Sequence, residues 1–177
     1  MLSNQIISHV YHWIKIHNTI AESALCFFFI AGIIRPFTIV YSVFLLPSTL
    51  FHELTHYIMA LLFNGKPVRF SIIPKKQGAY INLGSVSCAN ITAYNAIQIG
   101  LSPFILVPAM ILYVDIIDKI HFSRSIASLS LEGYMVFSFL SGCIPSYPDF
   151  KIVFVDGIIT VLLLACCVAF YFYNTLH

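Results

Sequence analysis

The sequence predicts an all-α polytopic membrane bundle of about five membrane helices, with a small β-hairpin after the second apolar run. Of its 177 residues, 59% are hydrophobic and only 9% are charged. Soluble domains carry about 25% charged residues, because they need a solvated surface, so we expect lipid to be the solvent of this chain. The length accommodates four or five spans of about 20 residues, which predicts a single membrane-embedded domain over residues 1–177. The net charge of +2 is too small to indicate a nucleic-acid partner.

The first third of the chain predicts one interfacial helix and two spans. Residues 1–18 place apolar side chains at helical spacing, and Trp13 can anchor such a helix at the lipid headgroups. A first span is expected over residues 20–34. The second apolar run, residues 37–63, is closed by Asn64-Gly65, and a glycine just after the last apolar residue is typical of a helix C-terminus.

Residues 66–92 have a different pattern, which predicts the β-hairpin. Apolar and polar residues alternate on both sides of a turn expected over residues 74–78, which begin with proline and end with glycine. The remaining spans are expected over residues 94–114, 125–144 and 152–173. The basic residues of the hairpin have no acid beside them and are Lys66, Arg69, Lys75 and Lys76. This excess predicts a multi-pass protein with the hairpin in the cytoplasm and the loop 115–124 on the opposite side.

The chemistry is concentrated in His52-Glu53-Leu54-Thr55-His56, an HExxH sequence inside the second apolar run. With seven His in the chain, about 0.005 such matches are expected by chance. Residues four apart share one helix face, so His52 and His56 can bind the same Zn²⁺. Glu53 projects about 100° away from His52 around the helix, where it can act as general base without being a ligand.

A catalytic Zn²⁺ usually has three protein ligands and a water, so a third ligand is needed. Glu22 and the acids of the 115–124 loop are expected near water. The remaining candidates are Glu132, Asp149 and Asp156. A last helix that begins at the membrane surface near residue 150 would place Asp156 about 9 Å deep. A re-entrant stretch over residues 145–148 would instead bring Asp149 to the required depth.

An apolar helix with HELTH, a β-hairpin after it, and a late span preceded by Pro and Asp resemble the site-2 protease family of intramembrane zinc metalloproteases. The resemblance covers residues 37–160, and HELTH is its specific match. It implies a third ligand from an Asp near the start of a later helix. The segment that ends at Asp149, Ile-Pro-Ser-Tyr-Pro-Asp, is similar to the Pro-Ser-x-x-Asp of compact, divergent members, which makes Asp149 the predicted ligand. Asp156-Gly157, after Val155, is similar to the Leu-Asp-Gly of other members.

The resemblance implies an intramembrane protease with one Zn²⁺ per chain, bound by His52, His56 and Asp149. Glu53 would take a proton from the attacking water and pass it to the leaving amine. The expected partners are the bilayer and a membrane protein or peptide substrate, with the active site toward the cytoplasmic side. An extended substrate would pair with the hairpin near residues 82–85. The alternative is a non-proteolytic, degenerate membrane protein that binds a metal or a partner.

Overall fold

The computed structural model describes residues 18–77, 80–120, 125–158, 162–163, 165–168 and 171–172. The structure is mostly helical, at 71%, which confirms the helical class with a small β-structure. The helices are α1 (Asn18–Ile34), α2 (Thr38–Phe44), α3 (Leu46–Leu62), α4 (Ala96–Gly100), α5 (Leu106–Lys119), α6 (Ile126–Gly142) and α7 (Tyr147–Lys151). The strands are β1 (Pro67–Ser71), β2 (Lys75–Gln77), β3 (Tyr80–Asn82) and β4 (Ser85–Cys88). The predicted interfacial helix, with Trp13, lies outside the described residues except for its last position.

The chain divides into two compact units. The first comprises Met1–Ser48 and Val107–Ser141, and the second comprises Thr49–Leu106 and Gly142–His177. The core of the first unit is aromatic: the Phe27 and Tyr134 rings lie 5.2 Å apart, and the Phe44 and Phe137 rings lie 5.4 Å apart. The Tyr134 hydroxyl donates a 2.7 Å hydrogen bond to the Phe44 carbonyl, so the buried ring keeps its polar end satisfied.

One helical stretch among the described residues, Ile126–Asp156, meets the length and composition needed to cross a membrane, and Asn18–Ile34 is a shorter apolar helix. The longer stretch comprises α6, the connection at residues 143–146, α7 and a π-helical turn (Ile152–Asp156). Large apolar side chains are nevertheless exposed on the shorter helices; Phe29 of α1 is 74% exposed and Ile39 of α2 is 80% exposed. Such exposure is unusual for a water-facing surface.

The second apolar run contains two helices, α2 and α3, which are separated at Leu45, where ψ is 3°. Pro47 falls in the first turn of α3, where its missing N–H costs no intrahelical bond. At the other end, α3 stops at Leu62, close to the predicted Asn64-Gly65 signal, and Asn64 and Lys66 are left-handed, with φ of 56° and 51°. Gly65 is needed for packing, since a Cβ there would lie 2.7 Å from Ile99 Cδ1.

The hairpin is two nested antiparallel pairs. Strands β1 and β4 pair with Phe70 opposite Val86, and β2 and β3 pair with Lys76 opposite Ile81. The turn predicted over residues 74–78 is wrong for Lys75–Gln77, which form β2, because cross-strand pairing with β3 holds them extended. Gly78, the end of that predicted turn, lies outside the described residues.

The predicted span 94–114 is interrupted. It contains α4, a 3₁₀ turn (Ser102–Ile105) and the start of α5. Pro103 occupies the first turn of the 3₁₀ segment, a position that tolerates its missing N–H. The loop predicted from residue 115 is wrong for its first five residues, because α5 continues to Lys119. A cation in the last helical turn is favoured by the helix dipole.

The later helices begin and end at clear signals. Helix α6 covers most of the span predicted over residues 125–144. Helix α7 begins earlier than the span predicted from residue 152, because a helix cap precedes it. The capping residue, Ser146, is extended, with ψ of 167°, and Asp149 is the third residue of the helix. This Ser-x-x-Asp arrangement is a capping box.

Candidate metal centre

The side chains of His52, His56 and Asp149 converge in the second unit. Their ligand atoms lie within 4.8 Å of one another. The described residues contain no other group of three potential metal ligands. The two His Nε2 atoms are 3.1 Å apart. Asp149 Oδ2 lies 3.3 Å from His52 Nε2, and Asp149 Oδ1 lies 3.2 Å from His56 Nε2. Helix α3 supplies both histidines from successive turns, and α7 supplies the carboxylate.

Backbone carbonyls orient both imidazole rings. His52 Nδ1 lies 2.8 Å from the Gly142 carbonyl oxygen. His56 Nδ1 lies 2.7 Å from the Ile99 carbonyl oxygen. A carbonyl oxygen can only accept, so each Nδ1 carries the proton and donates it. In the neutral rings, both Nε2 atoms therefore present lone pairs to each other and to Asp149. Three electron-rich groups that face one point favour a cation there, either a proton on one ring or a metal ion.

The distances suit a tetrahedral ion. Ligands about 2.0–2.1 Å from a tetrahedral Zn²⁺ lie about 3.3 Å from one another. The two His Nε2 atoms, 3.1 Å apart, match such an edge, and each lies at a similar distance from its own oxygen of the Asp149 carboxylate, 3.3 Å for His52 and 3.2 Å for His56. Two neutral imidazoles and one carboxylate also leave a divalent ion with one net positive charge and a fourth position open, as catalytic zinc sites do. The donor set therefore fits Zn²⁺.

Asp149 is held in place before any ion binds. Its Oδ2 accepts 2.6 Å hydrogen bonds from both the backbone N–H and the hydroxyl of Ser146. Gly100 supports the same residue from behind, because a Cβ there would lie 2.8 Å from the Asp149 carbonyl oxygen and 2.5 Å from Val153 Cγ2. The glycine therefore lets α7 approach α4 closely enough to bring the carboxylate to the histidines.

The His56 ring has a second partner. The Ser102 hydroxyl lies 2.9 Å from His56 Nδ1 and donates a 2.8 Å hydrogen bond to the Ile99 carbonyl. The ring N–H is thus shared between a carbonyl and a hydroxyl. Asn95 connects this region to the end of α3, since its amide donates to the Phe63 carbonyl at 3.1 Å. These contacts fix the ring that would bind the ion.

Glu53 is buried beside the cluster without belonging to it. Gly84 lies directly against Glu53, since a Cβ on Gly84 would come within 2.8 Å of Glu53 Oε1. Glu53 therefore lies beside the stretch 82–85 that is expected to pair with a substrate. Ser85 of this stretch is opposite Ser71 in the β1–β4 ladder.

The competing carboxylates lie elsewhere. Asp156 is exposed in the π-helical turn. Glu132 is buried in the first unit. Neither belongs to the converging group, which contains Asp149 instead.

Sequence reasoning did not find the residues that orient the ligands. The Gly142 and Ile99 carbonyls leave no sequence signal, because any residue supplies a carbonyl. Ser102 and Gly100 also required the tertiary arrangement. Ser146 is different: its spacing of three residues to Asp149 is a recognisable capping box, and that pattern predicts the contact that holds the carboxylate.

The fold and site together define a mostly helical chain with a His₂Asp group that can hold a metal ion and a glutamate adjacent to it. Comparison of the chain with protein-family models, with curated proteins and with solved structures found no match in any of the three.

Proposed function

We propose that this chain is an intramembrane zinc metalloprotease similar to the site-2 proteases. The observation that carries the proposal is the convergence of the His52 and His56 Nε2 lone pairs on the Asp149 carboxylate, at separations of 3.1–3.3 Å. A HExxH helix supplies the two imidazoles together with Glu53, the acid–base residue that peptide hydrolysis needs.

Zn²⁺ bound by His52, His56 and Asp149 would act as a Lewis acid and lower the pKa of water toward about 7. Glu53 takes one proton from the attacking water as its oxygen bonds to the peptide carbonyl carbon. The same carboxyl then delivers that proton to the amine nitrogen as the C–N bond breaks. Burial of Glu53 keeps bulk water away from this transfer.

A membrane location accounts for the apolar surface. Exposed large apolar residues occur on α1, α2, α3 and α5, and include Leu25, Val43, Leu62 and Leu112. In a bilayer these side chains would contact lipid and cost nothing. We therefore propose a multi-pass bundle of about five membrane segments, in which some segments are broken helices that line a polar site. The basic hairpin would face the cytoplasm.

An extended substrate would bind beside the hairpin. Within the described part of the chain, β4 pairs with β1 alone. The connection before β4 lies beside the acid–base residue, since a Cβ on Gly84 would come within 2.8 Å of Glu53 Oε1. A substrate segment that pairs with the hairpin near residues 82–85 would present its peptide bond near Glu53.

The test uses purified protein in phosphatidylcholine–phosphatidylglycerol liposomes with single-span membrane peptides. The zinc content of the protein is measured by elemental mass spectrometry, and cleavage is measured by mass spectrometry of the peptide products. We expect one zinc per chain, lost in His52→Ala, and cleavage abolished in Glu53→Gln with zinc retained. Glu22→Gln, which changes an exposed carboxylate of α1 in the same way, is the control and should keep both.

The alternative, a non-proteolytic metal or partner binder, predicts a different result. Zinc would be present, but cleavage would be absent in the unaltered protein, and biological activity would survive Glu53→Gln. Unchanged cleavage in Glu53→Gln would refute the proposed chemistry.

A further inference from the structure

Gly84, in the connection between β3 and β4, is in unusually close contact with Glu53. A Cβ placed on Gly84 would lie 2.7 Å from Glu53 Cγ and 2.7 Å from Thr49 Cγ2. Ordinary carbon contacts begin at 3.4 Å. Any side chain at residue 84 would therefore have to displace its neighbours by about 0.7 Å, the difference between these distances.

The same contact reaches the polar end of Glu53. A Cβ on Gly84 would lie 2.8 Å from Glu53 Oε1. Gly84 directly precedes β4, whose first residue, Ser85, is opposite Ser71 in the β1–β4 ladder. Strand pairing therefore holds the Gly84 backbone in place beside the carboxylate, without adding another ionisable group.

We propose that Gly84 is a positioning residue for Glu53, so that the hairpin is part of the catalytic apparatus. Gly84 provides the space that the Glu53 side chain occupies, and the pairing of β4 with β1 keeps Gly84 in that place. The inference rests on the proposed function in one respect, which is the role of Glu53 as the acid–base residue.

The three atoms closest to a Cβ placed on Gly84 belong to Thr49 and Glu53. Neither residue is one of the proposed ion ligands. The hairpin is thus expected to affect proton transfer without affecting ion binding. Gly100 has the opposite relation, because its closest neighbours include the Asp149 backbone. Two glycines of one unit therefore support different parts of the same site.

The experiment compares Gly84→Ala with the unaltered full chain. Gly32→Ala is the matched control, because nothing lies within 4 Å of a Cβ at that glycine. Zn²⁺ affinity is measured by competition with a chelator. The visible spectrum of the Co²⁺-loaded protein reports the surroundings of the ion without requiring turnover. The kinetic constants for a cleaved peptide are determined separately as kcat and KM.

We expect Gly84→Ala to keep Zn²⁺ affinity within about threefold and to lower kcat about 100-fold with little change in KM, because sub-ångström misplacement of a reacting group is costly. Its Co²⁺ spectrum should change as in Glu53→Gln. Thr49→Ser removes the methyl group that would lie 2.7 Å from the new Cβ, so Thr49→Ser/Gly84→Ala should recover about tenfold of kcat. Gly32→Ala should match the unaltered protein throughout.

Unchanged kcat and Co²⁺ spectrum in Gly84→Ala would overturn the inference while leaving the proposed function intact. Loss of Zn²⁺ binding in both Gly84→Ala and Thr49→Ser/Gly84→Ala would also overturn it, since Gly84 would then act on the fold. Failure of the proposed function has a separate signature, which is cleavage that survives Glu53→Gln. If no peptide is cleaved at all, the Co²⁺ spectrum still decides the positioning role.

Discussion

Asp149→Asn should weaken Zn²⁺ binding strongly while leaving the chain folded. The carboxylate lies 3.3 Å from His52 Nε2 and 3.2 Å from His56 Nε2, and it is the only anionic member of the converging group. An amide retains an oxygen but loses the negative charge. Loss of partners that merely orient a metal ligand costs 10–100-fold in affinity, so replacing the ligand itself should cost about 100-fold or more.

The effect can be expressed as thermal stabilisation by the ion. With free Zn²⁺ at 1,000 times Kd, binding stabilises the folded protein by about 4.1 kcal/mol. A Kd that is 100-fold higher reduces this to about 1.4 kcal/mol. For a chain of this size, 1 kcal/mol shifts Tm by about 2–4 °C. Zinc should therefore raise Tm by about 8–16 °C in the unaltered protein and by about 3–6 °C in Asp149→Asn.

The assay is a thermal unfolding scan in detergent, with and without Zn²⁺. Asp156→Asn is the matched control, because it makes the same change at the exposed carboxylate of the π-helical turn. A lower Tm in the scan without zinc would report loss of the Ser146 hydrogen bonds. A smaller rise in Tm on adding zinc would report loss of the ligand. A full zinc shift in Asp149→Asn combined with a reduced shift in Asp156→Asn would refute the assignment.

Three further changes test the supports of the site and the core. Ser102→Ala removes the hydroxyl 2.9 Å from His56 Nδ1 and should weaken Zn²⁺ binding about tenfold in chelator competition; unchanged affinity would mean that the carbonyl alone orients the ring. Gly100→Ala places a Cβ 2.8 Å from the Asp149 carbonyl oxygen and should also weaken Zn²⁺ binding about tenfold, whereas retained affinity would show that α7 shifts freely. Tyr134→Phe removes the 2.7 Å hydrogen bond to the last carbonyl of α2 and should cost about 1 kcal/mol in thermal unfolding, with Zn²⁺ affinity unaltered.

The parts of the site that the sequence could predict are those that depend on local geometry. His52 and His56 are four residues apart in one helix, so their proximity follows from the helical repeat alone. The hairpin followed from a period of two in its apolar residues. Asp149 is a different case, since 93 residues separate it from His56. A resemblance in a short proline-containing segment pointed to it, whereas a straight-helix depth estimate favoured Asp156.

That depth estimate was wrong about where the last helix begins. It placed the helix start near residue 150, but α7 starts at Tyr147 and passes into a π-helical turn after Lys151. The capping box at Ser146 fixes that start and turns the Asp149 side chain back onto it. Interruptions at Leu45 and around Pro103 were likewise hidden in apolar runs, because hydropathy does not distinguish one long helix from two short ones.

The cost of bringing the ligands together indicates how the ion and the fold are related. In neutral form, the Nε2 lone pairs of His52 and His56 face each other at 3.1 Å and both face the Asp149 carboxylate. Turning the His52 ring to relieve this would break its hydrogen bond to the Gly142 carbonyl, and turning the His56 ring would break its hydrogen bond to the Ile99 carbonyl. A cation removes the repulsion, and it does so only when α3, α4, α7 and the end of α6 are all in place. Binding of an ion by this group would therefore be thermodynamically linked to the folding of this unit. The carbonyl contacts to the two rings, which the sequence did not reveal, are the ones that would create this linkage.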